Sequence, residues 1–212
     1  MFTVKYSTMN TKNKALLYTL YGPVYFLEGA VLSYFTALNV NYLRTFGLSF
    51  SRIGIASGIA LFPFVLKIII GLISDKVNFF KLGYRKPYIF LGVILQSVAF
   101  LLLPFVNPHE QFVLFIIVFT AAALGMSTYD TATDGLSIDS TPLKERGTVQ
   151  GIMVGGRAIS AVAAALAFGF LAEKGLWHIG FYVLGAMGLI IIIPAIFTPD
   201  SRTKKDVVKD TR

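Results

Sequence analysis

The sequence predicts an all-α, polytopic membrane protein whose six transmembrane helices form two inverted three-helix repeats. Three observations carry this prediction. Of 212 residues, 55% are hydrophobic and 14% charged, with mean hydropathy +0.70, far from the shares of a water-soluble domain. The apolar residues gather in six runs of bilayer-spanning length, roughly 20 residues each, and no soluble domain fits in what remains. Finally, the charges inside those runs repeat in order: acid (Glu28), base (Lys67), none, then acid (Asp130, Asp134), base (Arg157), none. Because three is odd, the second triplet enters the bilayer from the opposite side, the inverted arrangement common in secondary transporters.

Residues 1–14 form a polar, basic tail. The first helix is expected over 15–43, with a kink at Gly22-Pro23 that neighbouring helices can re-satisfy. Tyr21, Tyr25, Glu28, Phe35 and Asn39 recur near one face of it, and that face is too polar for lipid. The second helix, 53–74, carries Gly54 and Gly58 at a spacing that favours close helix approach, then Pro63 and the intramembrane Lys67. A Lys- and Arg-rich loop precedes an uncharged third helix, 88–106, and residues 107–111 make a tight turn. The fourth helix, 112–134, is apolar until Ser127, so its polar residues collect at one end. An acidic and basic loop, 135–150, leads to a Gly- and Ala-rich fifth helix, 151–172, holding Arg157 and suited to tight packing. Trp177 in the next link suits a membrane interface, and the uncharged sixth helix, 179–198, ends in a polar tail, 199–212, that reads as a linker.

Net charge is +8, yet the basic residues lie in short links, where they act as topology signals, so nucleic acid is not an expected partner. Lys5, Lys12, Lys14, the 76–86 loop, Lys144, Arg146 and the final tail fall on one side, against Arg44, Arg52 and Lys174 on the other. This places both termini in the cytoplasm of a multi-pass plasma-membrane protein. Cysteine is absent, which excludes disulfides and thiolate metal sites. His109 and His178 have no partners at ligand spacing, so neither a metal nor a cofactor is expected. The first run is too long for a signal-peptide core.

The stretch GLISDK (71–76) followed by GYRKP (83–87) resembles the signature loop between helices two and three of the major facilitator superfamily. VNFFKL separates the aspartate from the second glycine here, a longer loop than the usual form. With Lys67 four residues before Gly71, and the run YDTATDGLSID…ERG…GR, the chain resembles the branch holding muropeptide permeases, acetyl-coenzyme A transporters and folate-biopterin transporters. The resemblance spans about residues 15–198 and implies the amino-terminal half of a full transporter. The partners so implied are the lipid bilayer, a small solute and a second six-helix half, from the same gene or as a homodimer.

For Gly71, Asp75, Gly83, Arg85 and Lys86 the resemblance implies a cytoplasmic charge cluster that latches the halves together, with Asp134 and Arg146 grouped beside it; the alternative is a loop held by structural ion pairs. Glu28 lies midway along a helix that lines the central cavity in this superfamily, which makes it a candidate for proton coupling or solute contact, or for a permanent pair with Lys67 or Arg157. Asp130 and Asp134, four apart on one face, repel each other when both are charged, so one is a candidate proton carrier; Asp134 can instead pair with Arg157 or Arg146. Asp139 and Glu145 read as loop residues bonded to local bases. Lys67 and Arg157 suit an anionic solute, Arg157 through its planar fork, or neutralise the acids. Tyr25, with Tyr21 and Tyr129, is a candidate cavity wall or packing residue.

The expected function is secondary active transport of a small polar or anionic solute by alternating access, coupled to protons through Glu28 or Asp130. A non-transporting receptor or assembly factor on the same fold is the alternative. An intramembrane transferase with Mg²⁺ on Asp130, Asp134 and Asp139 is the remaining one.

Overall fold

A computed structural model describes residues 11–79 and 83–198. The first ten residues, Lys81 and the tail from 199 lie outside the described residues, and with them several of the bases that argue orientation. Helix α1 runs Thr11–Ser33, widens to a π-helix over Tyr34–Leu38 and resumes as α-helix over Asn39–Thr45. Helix α2 has two pieces, Phe50–Val65 and Lys67–Lys76; α3 is Lys86–Leu102 with a 3-10 turn Leu103–Phe105; α4 is Phe112–Ser140, α5 Arg146–Glu173 and α6 Trp177–Phe197. All six are long and apolar enough to span a bilayer.

Local chemistry sets the breaks. Pro63 cannot donate to the helix ladder and its ring crowds the preceding turn; three residues on, the Leu66 amide bonds the Pro63 carbonyl at 3.1 Å and the helix restarts at Lys67. In α1 the wider π turn faces Tyr34, Phe35 and Leu38 all inward, where Tyr34 meets Phe181 at 5.1 Å and Phe100 and Phe119 at 5.9 Å, all edge-on, the favoured geometry for ring quadrupoles. Helices α1 and α5 each stop at a glycine with positive φ, Gly47 at 73° and Gly175 at 68°. Such a residue turns the chain back so that the last carbonyls are capped: Leu48 N–H reaches Leu43 and Leu176 N–H reaches Leu171.

Packing follows an internal two-fold relation between the triplets α1–α3 and α4–α6. Helix α1 lies along α5 as α4 lies along α2, α3 packs on α4 as α6 packs on α1, and α3 and α6 pack on each other. The closest crossings use small residues. A β-carbon on Gly125 of α4 would stand 2.6 Å from the Gly92 carbonyl of α3, and Gly29 of α1 sits directly on the Arg157 carbonyl and the Ser160 hydroxyl of α5.

Several expectations need correction. The stretch 135–150 is mostly helical: α4 continues to Ser140 and α5 begins at Arg146, leaving a short link with a 3-10 turn, Leu143–Glu145. Within it Asp139 accepts from Arg85 and Glu145 accepts from Tyr18 of α1, so polarity there does not end the helix. Gly54 and Gly58 face no neighbour, nor do Gly151 and Gly155; within this chain the contacts of α5 with α1 run through Gly156, whose added β-carbon would lie 3.2 Å from the Gly22 carbonyl. Trp177, at the start of α6, packs against Tyr42 and Phe168.

Candidate functional site

The two-fold packing carries charge with it. Glu28 of α1 accepts two bonds from Arg157 of α5, Nε at 3.1 Å and an Nη at 2.7 Å, while Asp130 of α4 pairs with Lys67 of α2. The acid of each triplet is therefore held by the base of the other. Arg157 also approaches Asp130 Oδ1 at 3.7 Å, which joins both pairs into one chain, Glu28, Arg157, Asp130, Lys67. Its acids form the floor, with side chains 3% and 1% exposed; its bases form the open surface, Lys67 at 33% and Arg157 at 37%. Burying such charges is tolerable only when they are paired.

Tyr25, one turn before Glu28, lies beneath Arg157, its ring centroid 4.9 Å from the guanidinium carbon, and its hydroxyl donates to Asp134. Asp134 is exposed and pairs with neither Arg157 nor Arg146 by the salt-bridge distance. Arg146 instead caps the end of α4, donating to the Thr141 carbonyl at 3.2 Å and the Ile138 carbonyl at 3.0 Å. Tyr21 and Tyr129 are wholly buried and belong to the packed interior. The three aspartates considered for Mg²⁺ are dispersed, Asp130 on Lys67, Asp134 on Tyr25 and Asp139 on Arg85.

A second cluster forms where α2, α3 and α4 end together. Arg85 is nearly buried and reaches Asp75 at 2.5 Å, Asp139 at 3.0 Å and the Ser74 hydroxyl at 2.9 Å. Its guanidinium rests on Gly135, where a β-carbon would overlap it. Lys86 Nζ donates to the Ile196 carbonyl at 2.8 Å and so ties α3 to the end of α6. Gly83, at φ 113°, turns the chain into α3 with its amide on Asn78 Oδ1 at 3.1 Å, and Gly71 lies against Thr131 of α4. Asp139 is thus a helical residue bonded 54 positions away, not a loop residue with local partners. Sequence reading missed Ser74, Gly135 and the long-range role of Asp139. The usable signal was the four-residue spacing of Gly135 and Asp139, which puts a bare patch and an acid on one face once α4 is continued past Asp134.

A profile of the Major Facilitator Superfamily matches residues 21–212. Among curated relatives, a putative folate transporter 2 of Plasmodium berghei is 29% identical over 152 residues, covering 69% of this chain and 33% of the relative. A folate-biopterin transporter of Synechocystis is 28% identical over 155 residues, covering 71% and 30%. A crystal structure of a bacterial homologue of the lysosomal transporter Spinster, inward-facing and unoccupied, superposes with TM-score 0.64 at 21% identity over 93% of this chain and 45% of that one. The chain therefore spans about a third of these curated relatives' length and about half of the solved structure. With the crossed helix pairs, the charge chain on the open face and the match over residues 21–212, the chain belongs to the Major Facilitator Superfamily and carries one six-helix half of its fold.

Proposed function

We propose that this chain is the amino-terminal half of a proton-coupled secondary transporter, moving a small polar or anionic solute by alternating access across the plasma membrane with both termini cytoplasmic. The observation that carries the reading is the crossed charge chain: two bases on an open face, each held by a buried acid of the other triplet. An anionic solute group competes with Glu28 and Asp130 for Arg157 and Lys67 through the same charge-assisted bonds. The negative charge so brought in is tolerable in a low-dielectric site only when a proton enters with it, so solute and proton enter together. The folate and folate-biopterin transporters among the chain's relatives favour folate- or pterin-like solutes, which bear the required carboxylates or hydrogen-bonding rings.

The Arg85 cluster acts as the latch in this reading. It ties the ends of α2, α3 and α4 and so biases one of two packing states. The second half is supplied by the remainder of a longer chain or by a second copy, against the open glycine faces of α2 and α5.

The test is uptake of labelled folate by vesicles holding the purified full-length transporter, with and without an inward proton gradient. Gradient-driven accumulation that falls at least tenfold in Arg157→Met and Lys67→Met supports the reading. Saturable folate binding without flux under any gradient overturns it in favour of a receptor on the same fold.

A further inference from the structure

The charge chain is balanced by itself, and Asp134 beside it leaves one negative charge over. Among the described residues, the carboxylates of this cluster are Glu28, Asp130 and Asp134, against the two bases Lys67 and Arg157. Glu28 takes both bonds of the Arg157 fork, and Asp130 takes Lys67 and the longer approach of Arg157. Asp134 has only a neutral partner, the Tyr25 hydroxyl, although it is the most exposed of the three acids. The groups acting on it from each element packed around it are Tyr25 of α1, Lys67 of α2, Arg157 of α5 and Asp130 one turn back on α4. A single added proton brings the net charge of these five groups to zero, and Asp134 is the acid among them whose hydrogen-bond partner is neutral.

We propose that Asp134 is the carboxylate that takes up the coupling proton and that Tyr25 passes its state to the solute site. This deepens the transport reading and rests on it. A proton from the vestibule adds to an Asp134 carboxylate oxygen, giving a neutral carboxyl, and the Tyr25 hydroxyl loses its charged acceptor. The same Tyr25 ring supports the Arg157 guanidinium, so a change at Asp134 reaches the Glu28–Arg157 pair through one side chain, without a rearrangement of the backbone. Glu28 and Asp130 are then holding groups for the bases, and Asp134 is the titrating one.

Infrared difference spectra of the full-length protein in lipid vesicles, taken across a pH titration without solute, read the step directly as the carbonyl band of a newly protonated carboxyl. The expected result is a band present in wild type, Glu28→Gln and Asp130→Asn, and lost in Asp134→Asn. In Tyr25→Phe the band persists at a shifted frequency, because the hydroxyl it bonds is gone. A band that survives in Asp134→Asn, or that disappears in Glu28→Gln or Asp130→Asn instead, overturns the assignment. If Asp134→Asn does not fold, an unshifted band in Tyr25→Phe overturns it equally. Since no flux is measured, the outcomes separate: a band assigned to Asp134 with no transport sinks the transport reading alone, and proton-driven transport with no such band sinks this one alone.

Discussion

The pair Glu28–Arg157 allows a stability argument in which burial sets the sign and order of effects. Arg157→Met removes both bonds to a carboxylate that is 3% exposed, and breaking a buried pair in this way costs about 3–5 kcal/mol because the remaining charge is left alone. Glu28→Gln leaves the charge on Arg157, which is 37% exposed and keeps Asp130 within 3.7 Å; a charge so placed is screened, and the cost falls to about 1 kcal/mol. The double variant Glu28→Gln with Arg157→Met leaves no orphan charge and returns to within about 1 kcal/mol of wild type, as replaced buried pairs commonly do. For a domain of this size a kcal/mol is about 2–4 °C in Tm. Melting of the purified protein in detergent should therefore rank Arg157→Met lowest, by roughly 6–20 °C, with Glu28→Gln and the double variant close to wild type. Equal losses in the two single variants, or a double variant no better than Arg157→Met, would refute the claim that burial of Glu28 dominates.

Two further outcomes rest on glycine contacts. Gly135→Ala places a methyl in the Arg85 guanidinium, weakening charge-assisted bonds of about 1.5–3 kcal/mol; a Ser137→Cys reporter, buried near the same end of α4, should then react with a water-soluble maleimide at least about tenfold faster, and an unchanged rate would remove the latch role. Gly125→Ala forces α3 and α4 apart against backbone atoms that cannot yield, since its β-carbon would lie 2.6 Å from the Gly92 carbonyl. The expected loss is about 1–3 kcal/mol, read as a lower Tm, with activity at low temperature retained.

The six helices and their division into triplets were legible because hydropathy and the order of intramembrane charge are written linearly in the chain. The pairing of those charges was not. Nothing local distinguishes Glu28 bonded to Lys67 from Glu28 bonded to Arg157; the choice is made by α1 lying along α5, which small residues such as Gly29 permit. The 135–150 region misled for a physical reason, since Gly135 and Asp139 look like loop chemistry until Arg85 arrives from the α2–α3 link to cover them. Tyr25 was visible as a site residue, yet its bond to Asp134 joins helices 109 positions apart and leaves no trace in spacing.

The exchange of acids and bases between triplets also has a consequence for how the chain is made. A ribosome delivers α1 and α2 to the membrane first, and at that moment Glu28 and Lys67 lack the partners they have in the folded domain, because Arg157 and Asp130 have yet to be synthesised. The first triplet is then a nascent intermediate whose two intramembrane charges have at most each other in or near hydrocarbon. It must be sheltered by the insertion machinery, or remain shallow, until α5 emerges about 130 residues after Glu28. At roughly 5–20 residues per second that interval is several seconds to half a minute, long enough for quality-control proteases to sample it. Chains stopped after α3 should be cleared quickly, and the step that commits this domain to survival is the arrival of Arg157.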